Sequence, residues 1–96
     1  MIIETPYKAT DTITLKITNG DEIIGRFIEE DNNTITVNKP LALMATQQGI
    51  GLGPWTFTVN PDSKIKINKS AVVFVHKSDD SMAKQYISST SGIQMV

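Results

Sequence analysis

Cysteine is missing from all 96 residues, which removes disulfides, thiolate metal centres and cysteine nucleophiles together. Histidine occurs once, at His76, so no second imidazole is present to share a metal or a proton relay with it. No apolar run approaches the roughly 20 residues that a bilayer-crossing helix needs. The opening Met-Ile-Ile-Glu-Thr-Pro lacks the basic start and long apolar stretch of a secretory leader. These absences lead us to expect a soluble, cytoplasmic protein without membrane contact. Aromatics are scarce, with one Trp, two Tyr and three Phe, which counts against a monomeric OB-like barrel that stacks bases on its surface. A net charge of −1 likewise argues against a polyanion binder that works by bulk charge.

What is present is a chain of single-domain length, able to bury roughly 60–70% of its unfolded surface. Charge is unevenly placed. Residues 1–31 carry three cations against seven anions, whereas residues 32–77 carry five lysines against Asp62 alone. Such a division suits a local partner, or a neighbouring copy of the same chain.

Strand periodicity dominates. In Thr12-Ile13-Thr14-Leu15-Lys16-Ile17 the apolar residues alternate with polar ones, the pattern of a half-buried strand. Asn19-Gly20 follows, a strong hairpin signal. The next run, Glu22 to Glu30, is apolar on both parities (Ile23 and Phe27, then Ile24 and Ile28) around a central Gly25. That pattern predicts a strand bent sharply at the glycine. After Asp31-Asn32-Asn33, alternation resumes at Ile35 and Val37 and, beyond Lys39-Pro40, at Leu41 and Leu43.

The Gly-rich segment 47–54 predicts a hairpin tip, from which Trp55, Phe57 and Val59, then Ile65 and Ile67, run back as a fourth strand. Pairing outward from that tip sets Leu43 near Phe57 and Leu41 near Val59, with Ile35 facing Ile67 and Val37 facing Ile65. A bulge at Asn60–Ser63 takes up the extra residues. Val72–Val75, apolar on both faces, predicts a fully covered last strand. Ser78-Asp79-Asp80 predicts the start of a short helix with Met82, Ala83, Tyr86 and Ile87 on its apolar face, and Ser88 onward a loose tail. The expected division is an arm over 1–11, a β domain over 12–77, and a helix with tail over 78–96.

Ile17-Thr18-Asn19-Gly20, then Gly25, then Asp31, with Phe27 two residues past the second glycine, resemble the first motif of the Sm-like family. Ile67-Asn68-Lys69 before Ala71–Val75 follows its second motif in outline, and the short chain with degenerate motifs is similar to Sm-like proteins of marine phage type. The resemblance covers about residues 12–76. It implies an all-β fold, a small, strongly bent five-stranded SH3-like barrel with a short C-terminal helix, assembling with itself into a closed ring of about five to seven subunits. It also implies single-stranded RNA as a candidate partner, with Asp31, Asn33, Asn68 and Lys69 at the family's pocket. Among these only Asp31 keeps the family's residue. Asn33 replaces a stacking side chain, Ile35 an asparagine, and Asn68-Lys69 an Arg-Gly pair.

Lys64 and Lys66 share a strand face, and Lys69 lies in the adjoining turn, so together they form the basic contribution to an RNA surface. The expected subunit contacts are Trp55, Phe57, Ile65, Ile67, Val72 and Phe74. No cofactor or metal is called for. Glu29 and Glu30 point to opposite faces of a strand, so they form no carboxylate pair. No Ser-His-Asp set can be assembled from these residues, and a non-enzyme is expected. Either an RNA-binding ring or a structural adaptor ring fits these features.

Overall fold

The computed structural model of the protein describes residues 7–90. Its elements are β1 (Thr12–Ile17), β2 (Glu22–Glu30), β3 (Thr34–Thr46), β4 (Gly49–Pro54), β5 (Lys64–Asn68), a 3₁₀ turn (Lys69–Ala71), β6 (Val72–Lys77) and α1 (Asp80–Thr90). All pairings are antiparallel, in the order β4-β3-β2-β1-β6, with β5 also pairing to β3. Among the described residues the sheet has six strands rather than the expected five, and its two ends do not pair with each other, so they form no closed barrel.

Alternation explains the core. Ile13 and Leu15 of β1, Ile23 of β2, and Ile35 and Val37 of β3 are wholly buried, joined by Ile17, Phe27 and Ile67. Each such side chain contributes about 1.5–3 kcal/mol relative to exposure. Tyr7 closes one end edge-on to Phe27, with ring centroids 4.8 Å apart. Backbone bonds from Thr10 N–H to Phe27 O and from Phe27 N–H to Asp11 O, both 2.8 Å, fasten residues 10 and 11 beside β2. Residues 1–6 of the expected arm and 91–96 of the expected tail lie outside the described residues.

The first turn forms where Asn19-Gly20 predicts it, and only Gly20 uses a left-handed backbone, at φ 100°. The bend also forms at Gly25. A Cβ there would lie 3.3 Å from Val37 Cβ and 3.4 Å from the Asn38 carbonyl oxygen, so β2 and β3 approach closely at Gly25, where a larger side chain would have to displace its neighbours. Opposite Gly25 the ladder jumps, pairing Ile24 with Leu41 and then Arg26 with Asn38. Lys39 takes up the extra residue at φ 52°, just before Pro40.

The long hairpin differs from expectation. Its tip is Gln47-Gln48 alone, and 49–54 is a strand, pairing Leu43 with Leu52 and Leu41 with Pro54. Residues 55–63 then leave the ladder opposite Lys39-Pro40, so Trp55, Phe57 and Val59 lie in a loop and not in a strand. Pairing resumes as expected at Ile65 with Val37 and Ile67 with Ile35.

The last strand is not fully covered either. Val73 is 62% exposed and Phe74 47%, because a bulge beside Ile17 turns them away from the core. Asp79 caps α1, its carboxylate accepting from the Met82 N–H at 2.8 Å. The helix runs on to Thr90, past the expected start of the tail. It lies over the outer sheet face, where Ile24 and Tyr86 are buried, while Ile87 stays half exposed.

Candidate nucleic-acid interface and sheet edges

The turns at 31–33 and 68–70 come together because β5 pairs with the start of β3, and the Lys69 N–H donates to the Asn33 carbonyl at 2.8 Å. Asp31, Asn33, Asn68 and Lys69 are therefore neighbours. The polar atoms of this group are largely occupied by the turns themselves. One oxygen of the Asp31 carboxylate accepts from the N–H groups of Asn33 and Thr34, each at 2.8 Å, and from the Thr34 hydroxyl at 3.2 Å. The bond from the Asn33 N–H, then those from Thr34, hold its carboxyl below the ordinary aspartate value, with Lys66 adding a smaller pull. The Asn68 side-chain oxygen accepts from the Ser70 N–H at 3.1 Å. The Lys69 ammonium sits 3.0 Å from Glu30, which also accepts from the Tyr7 hydroxyl at 3.2 Å.

Lys64 and Lys66 stand on the exposed side of β5, opposite Asn38 and Thr36. Lys66 borders a small hollow of about 120 Å³ whose other lining residues are Glu29, Glu30, Asp31, Thr34 and Thr36. Glu29 and Glu30, expected on opposite faces of the strand, thus border one hollow just past the irregularity between Phe27 and Glu29, and three acidic residues against one ammonium make it a poor seat for phosphate. The residues expected at an RNA surface are thus brought together, but in mixed charge.

The expected contact residues divide. Ile67 belongs to the chain's own core, and Trp55, Ile65 and Val72 are half buried against it. The Trp55 indole N–H donates to the Asp21 carboxylate at 3.2 Å, tying the root of the 55–63 loop to the first turn. Phe57 and Phe74 present apolar surface outward, Phe57 being 88% exposed. Among the described residues two strand edges are open, β6 at one end of the sheet and β4 with β5 at the other.

Sequence reading missed Glu30 and Tyr7, whose contact spans 23 positions and leaves no local pattern. It also missed a groove on the outer face, of about 550 Å³, lined by Leu43, Phe74, His76, Asp80 and Met82 over a floor that includes Ile24. His76 and Phe74 share a parity on β6, which is the one local signal of it. No protein-family model matches this chain, and no curated protein matches it.

Proposed function

We propose that this chain is a self-assembling module of the Sm-like type, joining identical copies edge to edge into a closed ring that serves as a structural or adaptor particle. The observation that carries this reading is the pair of open edges. A bent antiparallel sheet ends in β6 on one side and in β4 and β5 on the other, with Val73 and Phe74 exposed beside the first. Unpaired edges with apolar flanks favour strand addition, and two different edges on one chain make a head-to-tail contact that closes where the rotation permits. The motif Asn19-Gly20, Gly25 and Asp31 supports the family assignment, each at a turn or a bend. Light scattering on the purified chain should give one discrete multimer. A monomer at micromolar concentration overturns the proposal.

A second reading, weak binding of single-stranded RNA by the same ring, is favoured by the juxtaposed turns of Asn33 and Asn68. Repetition around a ring multiplies weak contacts through effective concentration. The ion pair of Lys69 with Glu30 and the self-satisfied Asp31 rank this reading below assembly.

A further inference from the structure

The loop 55–63 and the outer-face groove are two features that the described residues of the single chain leave unused. Phe57 is 88% exposed and Val59 39%, at a place where the chain leaves the ladder and returns to it. The groove offers Phe74, Leu43 and Met82 over Ile24, and none of its lining residues comes from that loop. One chain therefore carries an apolar projection beside its β5 edge and an apolar recess beside its β6 edge.

We propose that in the assembled particle the 55–63 loop of one copy seats Phe57 in the groove between β6 and α1 of the next, so that each groove is completed by a neighbour. This rests on the ring reading, and it adds a side-chain lock to the strand contact. Three observations carry it. The first is position. If β5 adds to a neighbour's β6 in the antiparallel sense used throughout this sheet, the start of β5 at Lys64 lies level with the end of β6 at Lys77. The loop that runs into Lys64 then falls at His76, Ser78 and the first turn of α1, which line the groove. The second is charge. The groove rim carries Glu22, Asp79 and Asp80 against Lys77, whereas the approaching edge carries Lys64 and Lys66, with the loop's one carboxylate, Asp62, already 3.8 Å from the Lys39 ammonium of its own chain. The third is the half-exposed Phe74, which gives the phenyl ring of Phe57 an aromatic partner.

The absence of native cysteine makes the test direct. The variants F57C and M82C are prepared separately, mixed, and treated with a mild oxidant or a short bis-maleimide. The expected result is a mixed F57C–M82C adduct that neither variant forms alone. In parallel, Phe57→Asp, at an exposed loop position that leaves the core intact, should raise the concentration needed for assembly about 10- to 100-fold, as expected for losing one buried aromatic contact. Its circular dichroism should remain that of the wild type. A wild-type monomer overturns the ring and this lock together. A wild-type multimer that gives no mixed adduct, or whose Phe57→Asp variant assembles as tightly as wild type, overturns the lock and leaves the ring standing.

Discussion

Tyr86 is the contact on which the placement of α1 turns. It is 1% exposed, and its hydroxyl donates to the carbonyl oxygens of Asn38 at 2.9 Å and Lys39 at 2.8 Å. One proton is shared between two acceptors, at the point where Lys39 is held at φ 52°. A lysine in that region costs on the order of 1 kcal/mol and persists only when neighbours hold it. Those neighbours are the phenol, the Thr90 carbonyl, which accepts from the Lys39 ammonium at 3.0 Å, and Asp62, 3.8 Å from the same ammonium.

Tyr86→Phe keeps the ring and removes the donor, so it should cost about 1–2 kcal/mol, one net hydrogen bond plus two less satisfied carbonyls. In a domain of this size that is a fall in Tm of about 5–10 °C. Tyr86→Ala also empties the space under the helix and should cost about 3–5 kcal/mol. Urea titrations followed by circular dichroism measure both. A Phe variant as stable as wild type would mean that packing alone holds the helix, and the clamp would be refuted. Burial raises the Tyr86 phenol above its ordinary value of 10.0. The stability linked to its ionisation is therefore full below about pH 10 and declines as pH rises above it. The Phe variant should lose that share of the alkaline decline, while Tyr7, raised by burial and then by Glu30, keeps its own.

The close approach at Gly25 predicts that Gly25→Ala is near neutral, because its Cβ needs only a few tenths of an ångström of give. Gly25→Val, with two more carbons toward Val37 and Pro40, should cost about 1–3 kcal/mol in thermal melts. The lowered Asp31 carboxyl stabilises the fold fully above about pH 4, and that contribution is lost as pH falls through its folded value. Asp31→Asn should accordingly show a smaller drop in Tm between about pH 6 and pH 2.5, with a remainder from Asp79, which is lowered by its bond from Met82. If the ring binds RNA, binding of labelled oligo-U at low salt should weaken in Lys69→Ala and strengthen in Glu30→Gln, which frees the ammonium. Equal affinities in all three proteins would remove Lys69 from the surface.

The strands whose side chains alternate, 12–17 and 34–38 with 64–68, were legible because one face of each meets the core and the other does not. Gly25 was legible for a related reason, since apolar residues on both parities need a bend to bury both. The hairpin tip was not. Glycine at 49, 51 and 53 dilutes the strand pattern of β4, and Trp55-Thr56-Phe57-Thr58-Val59 alternates as a strand would. Yet the Trp55 side chain turns to Asp21, and Pro61 and Asn60 keep the chain off the ladder. Val72–Val75 shows what periodicity leaves out. An apolar run says that cover is wanted, not that the same chain supplies it. Of the RNA candidates, the family resemblance and the expected pairing of Ile35 with Ile67 set the turns of Asn33 and Lys69 side by side, as they are here, but the roles of Asp31 as a turn anchor and of Glu30 as the partner of Lys69 depend on contacts that no local pattern carries.

Trp55, the sole tryptophan, gives the native chain an internal spectroscopic reporter. Its indole is half buried and bonded to Asp21 at the root of the projecting loop. Any event that draws the loop away from the first turn must break that bond and alter the polarity around the ring. The intrinsic emission of the unmodified protein therefore follows the attachment of the loop to the first turn without an added dye. Its wavelength on dilution, on heating or on addition of oligonucleotide reads the state of the loop root directly.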